Sequence, residues 1–599
     1  LAEEGDYKPL ETMMAPQSPV AWSTFITGMD PGGHGIYDFV HRDPATMFPY
    51  LSMSRAIPGG RSIGVGSWVL PLSGGKVELL RKGVAFWEVL GEKGIPSIVF
   101  RMPVNFPPIE HPGMALSGMG TPDVLGTPGT FSFFTERMPE NADEFSGGKA
   151  YPVEVIDNRV SAQLRGPQNP FRRVKGEKGY ENPDCKMDFD VFIDTEAKAA
   201  KFVVGDKEFI LQEKEWSDWI RIDFEAVPWL VHFSSIGRFY LKQLEPHFEL
   251  YVTPLQINPE DPVMPISHPY GWARELCACV GYFYTQELPE DTKALTHGVF
   301  TGRDFWDQAM FVYEERMRAL RYMLKHHKEG LLFFYFMTVD QGCHMLWRYT
   351  DPEHPGFIED EFLFQGIRKI YERMDKSLGV VLESMDEDTR LIVMSDHGFR
   401  PFYWGVNLNT WLLEKGYIKL KKPEEQGKHK FYSNVDWTQT QAYALGLNGL
   451  YVNRKGREKN GIVSSAEASR LLNRLEADLL AMRDPRNGRQ AVTLVTRPRR
   501  DFHGPYRGEG PDILVGYNAA YRSSWESPLG EFPKEVFVDN LEAWSGDHCI
   551  DNRLVPGVLL TNGKITMESP ALYDLTVGVL DEFGVKPLKE MIGKDCLGD

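Results

Sequence analysis

Two apolar runs that each end in carboxylate and imidazole side chains constrain this chain more than any other feature of it. Leu391-Ile-Val-Met394 is rich in branched residues and reads as a buried parallel strand, with Asp396, His397 and Gly398 where that strand would run out into a loop. In open α/β sheets that edge is where ligands sit. A carboxylate beside an imidazole, on a turn that Gly398 leaves free to bend, can offer an oxygen and a nitrogen donor to one divalent metal. The second run, Leu331 to Val339, ends in Asp340 with His344 four residues on, and a helix starting there would put both side chains on one face. A third candidate, His548, stands in Trp544-Ser-Gly-Asp-His-Cys549, shortly before the apolar Val558-Leu-Leu560. Either pair alone reads equally well as an ordinary strand end. Two such strands and a late loop histidine together form a metal constellation.

Composition narrows the partners. The formal charge of −18, from 66 basic against 84 acidic residues, argues against a nucleic-acid-coating protein, although a local cation site can still attract anionic substrates. No apolar run approaches the roughly 18 residues of a membrane span. Six cysteines in 599 residues, Cys277 and Cys279 among them, do not make a disulfide framework, so free thiols and a reducing, cytoplasmic compartment are the default expectation. Leu1 to Gly5 reads as the last turn of a helix capped by Gly5, which implies a strand and most of a helix upstream, and a signal segment would lie there too.

Along the chain, Ser18-Pro-Val-Ala-Trp-Ser-Thr-Phe-Ile-Thr-Gly28 carries a helix-start pattern, with Ser18 suited to the N-cap, Pro19 to the first turn and Gly28 to the end. Residues 82–104 read as a helix, a turn and a short strand, an αβ unit of a wound sheet. Between about residues 151 and 265 the texture changes to short, partly alternating segments with Gly205-Asp206 as a hairpin turn, a β-rich insertion. Helical patterns return at 305–325, at 367–381 and at 465–482, and Ile513-Leu-Val515 gives another strand.

Ser18 to Gly28, followed by Pro31-Gly-Gly-His-Gly-Ile36, resembles the nucleophile segment of the alkaline phosphatase superfamily in its type I phosphodiesterase/nucleotide pyrophosphatase branch. Asp340 with His344, Ser395-Asp-His-Gly398 and His548 follow in that branch's order of metal ligands, and Phe583-Gly-Val585 through Met591-Ile-Gly-Lys594 is similar to its ending. The resemblance implies an α/β, alkaline-phosphatase-like core with a mostly parallel sheet flanked by helices, formed by residues 1–150 and 266–599 and interrupted by the 151–265 insertion. It implies a metal-dependent hydrolase of phosphodiester or nucleotide pyrophosphate bonds. Ser18 would be the nucleophile, passing through a phosphoserine. One metal would be held by Asp340, His344 and His548, the other by Asp396, His397 and Ser18. Zinc suits such His-rich sites first and manganese second.

Three departures qualify that expectation. The branch places a further Asp ligand on a first strand that this sequence does not contain, which is the motive for the alternative of a non-catalytic binding protein on the same fold. Ser18 stands where Thr is usual, and Phe39 where an Asn would bind a phosphate oxygen. Pro19 and Val20 follow the serine where classical alkaline phosphatases place an Arg for the dianion of a monoester, which favours a diester or pyrophosphate monoanion over the alternatives of a phosphomonoesterase or a phosphomutase. A sulfatase would need Arg where Trp22 stands.

Overall fold

The computed structural model describes every residue except 2, 4, 58, 177, 178 and 599. The run ahead of Asp396 forms the strand Ile392–Met394, which pairs antiparallel with Gly557–Thr561, itself antiparallel to Asp6–Leu10. An apolar run specifies burial but not direction, and here both registers oppose the parallel pairing expected for it. Parallel pairs do occur elsewhere: Ser97–Met102 with Met114–Ser117, Phe131–Thr135 with Gly148–Pro152, and Arg400–Val406 with Ala520–Ser523. Ile392–Met394 is half-buried, as is Leu331–Phe334, and among the described residues each is the end strand of its sheet.

Residues 1–55, 79–97 and 342–599 form one unit of the chain and residues 56–78 and 98–341 another. In the first, the antiparallel strands Ala442–Ala444, Gly449–Val452, Ile513–Tyr517 and Val492–Thr496 lie in that order in one sheet. The helix Ser465–Leu480 buries Ala468, Leu471, Leu475 and Leu479, at the spacing of one helical face, into the same core as Tyr443, Leu450 and Val515. Its start is set by Ser464, whose hydroxyl accepts from the Glu467 N–H while the Glu467 carboxylate accepts from the Ser464 N–H.

The second unit holds the β-rich stretch. Arg159–Gln168, Asp184–Asp194, Ala199–Val204 and Lys207–Gln212 form an antiparallel sheet, and Val204 pairs with Lys207 across a turn where Gly205 takes φ +59°. A second sheet runs Gly148–Pro152, Phe131–Thr135, Glu249–Val252, Phe239–Gln243, Glu215–Trp216. Inward residues of both sheets share one core: Phe202 lies flat on Phe209 at 5.0 Å and edge-on to Phe239 at 6.1 Å. The two units do not part at residues 151 and 265, where the sequence texture changes. Ile98, Phe100 and Leu116 pack with Ile257, Ile266, Trp272 and Met323, so strands before the β-rich stretch share a core with elements after it. The helix Gly302–His326, capped by Thr301, belongs to this unit.

All six cysteines are free thiols, and among the described residues no helix is long and apolar enough to cross a membrane. The reading of residues 1–5 as a last helical turn falls partly on residues 2 and 4, outside the described residues. The Gly5 N–H donates to the Leu1 carbonyl at 2.8 Å.

Candidate active site

Ser18 opens the helix Ser18–Thr27, but it is not the cap expected from sequence: Gln17 holds the N-cap conformation, and its carbonyl accepts the Val20 and Ala21 N–H groups. Pro19 occupies the first turn, where a missing N–H costs nothing, and Gly28 ends the helix at φ +64°. Released from capping, the Ser18 hydroxyl faces His397 Nε2 at 3.1 Å in a position 3% exposed. A helix N-terminus also favours negative charge on that oxygen.

His397 and Asp396 leave the strand Ile392–Met394 on a turn held by the Gly398 N–H donating to the Val555 carbonyl at 2.9 Å. A Cβ at Gly398 would come within 2.6 Å of the Pro556 carbonyl oxygen, so the turn needs glycine for close approach. Asp396 Oδ2 lies 3.2 Å from His397 Nε2.

His344 sits on the helix Thr338–Thr350, stacked on the Trp544 ring at 3.6 Å. Its Nδ1 donates to the Gly546 carbonyl at 2.7 Å, and His548 Nδ1 donates to the Pro16 carbonyl at 2.6 Å. Committing both protons to carbonyls fixes the tautomers and leaves Nε2 of each ring with a lone pair. These two nitrogens face each other at 3.2 Å. One cation could accept both lone pairs, so the donor set fits a metal. The His397 ring stacks on His548 at 3.6 Å, and Phe399 presents its ring edge-on to His344 and His548 as an apolar wall.

Burial sets the protonation states. It pulls His548 down to about 3 and His397 to about 4, and holds His344 well below its ordinary value with His548 adding to the effect. All three imidazoles are neutral at pH 7, the form that binds metals. Burial pushes Asp396 up to about 6.

Asp340 lies one turn before His344 on the helix Thr338–Thr350. The sequence separates Asp340, His344 and His548 from Asp396, His397 and Ser18. In the structure His344 and His548 lie beside the second set, with His397 between Ser18 and His548.

Sequence reasoning missed the residues that brace this cluster. Asp547 accepts from the His548 and Cys549 N–H groups and from Trp544 Nε1, and pairs with Arg522 at 2.8 Å. Its place beside His548 was a signal. Arg522, 25 positions before Asp547 on another strand, gave none.

The family model for type I phosphodiesterase / nucleotide pyrophosphatase matches residues 1–157 and 192–523. No curated protein matches the sequence. Among solved structures, the chain is similar to phosphonoacetate hydrolase from Sinorhizobium meliloti 1021 in complex with phosphonoformate, at 11% identity and a TM-score of 0.39, covering 97% of this chain and 88% of that one. It is also similar to the inactive murine ectonucleotide pyrophosphatase/phosphodiesterase 5 in complex with AMP, at 13% identity and a TM-score of 0.26 over 46% of this chain and 60% of that one. Wild-type alkaline phosphatase PafA gives 13% identity and 0.26 over 49% and 53%. The chain thus spans less than two thirds of the length of the latter two.

Proposed function

Because the chain belongs to the type I phosphodiesterase/nucleotide pyrophosphatase family, a family of phosphoric ester hydrolases, we propose that it cleaves phosphodiester or nucleotide pyrophosphate bonds with Ser18 as the attacking group beside a two-cation site. The observation that carries this reading is the convergence of Ser18 Oγ and the Nε2 atoms of His397, His548 and His344 in one buried cluster. Asp340, His344 and His548 would hold one cation; Asp396, His397 and Ser18 would hold the other. Zinc suits the imidazole-rich donors, with manganese next. Bound divalent cations supply charge that lowers the proton affinity of the Ser18 oxygen and offsets the charge on the phosphoryl oxygens.

The chain's own residues do the rest. The helix start holds the Ser18 hydroxyl 3.1 Å from His397 Nε2, so that one cation could be shared by the two. Attack forms the Ser18 Oγ–P bond and breaks the bond from phosphorus to the leaving oxygen, which takes a proton. Water then displaces the serine oxygen and returns its proton. Pro19 and Val20 stand beside the serine where a guanidinium would meet the extra charge of a monoester, which favours a monoanionic diester or pyrophosphate as substrate.

The test is hydrolysis of bis(p-nitrophenyl) phosphate and of p-nitrophenyl phosphate by the full-length protein, with and without chelator. Chelation, Ser18→Ala and Asp396→Ala should each lower diester turnover at least about 100-fold. Turnover indifferent to all three would exclude the mechanism, and faster monoester than diester hydrolysis would exclude the substrate class.

A further inference from the structure

Pro16, Gln17 and Ser18 make three different attachments in succession. The Pro16 carbonyl accepts from His548 Nδ1, and the Ser18 hydroxyl faces His397. Between them the Gln17 side chain enters a polar network wholly out of solvent: Gln17, Asp38 and Asn448 are each at most 1% exposed. Gln17 Nε2 donates to Asp38 Oδ2 at 2.8 Å and to Asn448 Oδ1 at 2.9 Å, and its Oε1 accepts from the Phe39 N–H at 2.9 Å. Asp38 also accepts from the Leu447 and Asn448 N–H groups at 2.9 and 3.1 Å and from the Val40 N–H at 3.2 Å. Asn448 Nδ2 donates onward to the carbonyls of Val515 and Cys549 at 2.9 and 3.1 Å. One side-chain network therefore grips the residue before Ser18 and the residue after His548.

Gly446 confirms how closely the loop wraps the carboxylate. A Cβ there would lie 2.6 to 2.8 Å from the Asp38 carboxyl atoms, and its φ of +78° already favours glycine. A buried anion surrounded by donors and no cation is a costly feature for stability alone, since an apolar core of the same shape would serve as well. Its value lies in fixing a geometry.

We propose that Asp38, acting through Gln17 and Asn448, is a positioning residue that sets Ser18 Oγ against the His548 and His397 rings. It touches no reacting atom. The role rests on reading Ser18 as the attacking group.

The experiment measures kcat, KM and melting temperature for Asp38→Asn, Gln17→Ala and the double variant, with turnover expressed per metal-loaded protein. Asparagine keeps the shape of Asp38 but turns an NH2 toward backbone N–H donors. A displacement of about 1 Å at a reacting oxygen costs roughly 100-fold, so each single variant should lose 10- to 100-fold in kcat with KM within about 2-fold. The double variant should be no slower than the slower single one, as expected of residues that act as a unit. Phe202→Ala, in the other unit, controls for destabilisation by itself and should leave kcat unchanged. Should Asp38→Asn not fold, Gln17→Ala carries the test. Unchanged kcat in the variants, or losses that multiply in the double, would overturn the role. Loss of turnover in Ser18→Ala with full kcat in Asp38→Asn would remove the positioning role and leave the proposed function standing. An unmodified protein without chelator-sensitive turnover would remove both.

Discussion

Replacing Arg522 with methionine should be one of the costlier single changes in this chain. The Arg522 guanidinium and the Asp547 carboxylate lie 2.8 Å apart, with side chains 3% and 2% exposed. Burial alone would push the Asp547 carboxyl up; Arg522 holds it instead well below the usual carboxylate range. Methionine keeps most of the aliphatic stem and removes the charge, stranding a buried anion. Removing one partner of a buried pair costs about 3–5 kcal/mol. The donors left on Asp547, from His548, Cys549 and Trp544, keep the figure near the lower end, about 3 kcal/mol. Urea denaturation followed by tryptophan fluorescence at pH 7.5 measures it.

The sign of the pH dependence is a second check. In the unmodified protein the Asp547 carboxyl titrates below its unfolded value, so its contribution is present above about pH 3.9 and is lost only as pH falls through the depressed folded value. In the variant the folded carboxyl titrates above the unfolded one, and protonation relieves the stranded charge. The deficit of Arg522→Met should therefore shrink as pH falls from 7.5 toward 4. A deficit below about 1 kcal/mol at pH 7.5, or one that is flat or grows on acidification, would refute the reasoning.

Gly28→Ala should cost about 1–2 kcal/mol from the left-handed backbone alone, and more because its Cβ would meet the Met591 side chain at 2.9 Å; thermal unfolding would show it. Phe202→Ala should cost about 3–5 kcal/mol in the β-rich unit, seen as a lower urea midpoint without loss of turnover at 25 °C. His34, whose Nδ1 accepts from the Ile36 N–H and whose Nε2 meets Thr24 Oγ1, is held well below its ordinary value by burial and then by Arg81. The unfolded chain therefore takes up a proton that the fold refuses, and stability is lost as pH falls below about 6.5, by up to roughly 1.4 kcal/mol per pH unit; His34→Gln should flatten that slope in denaturation curves between pH 7 and 5.

Much of the candidate site could be read in the sequence because its residues follow local signals. Asp396 and His397 stand at the end of an apolar run, and Asp340 and His344 are spaced for one helical face; such patterns hold wherever the segment packs. The Gly205-Asp206 hairpin and the helices at residues 302–326 and 465–480 were legible for the same reason. Direction was not: the Ile392–Met394 strand runs antiparallel to Gly557–Thr561, and only the pairing partner decides that. Ser18 looked like a cap because Ser-Pro is a cap signature. The N-cap moved to Gln17, whose side chain is fixed by Asp38 and Asn448. Arg522 and Asn448 were invisible, since a buried brace has no pattern of its own until its partner is known.

Pro16 and His548, joined by a hydrogen bond, are 532 positions apart, and Ser18 and His397 are 379 apart. At ribosomal rates of about 5–20 residues per second, the Ser18 helix leaves the ribosome roughly 30 to 100 s before the His548 loop exists to meet it. During that interval the strand Asp6–Leu10 has no Gly557–Thr561 to pair with, and the Gln17 side chain has no Asn448. The segment around His548 therefore completes the one around Ser18, and the imidazole cluster cannot close before residue 548 has been made. A nascent chain stalled before residue 546 should fold its β-rich unit and still lack the imidazole cluster.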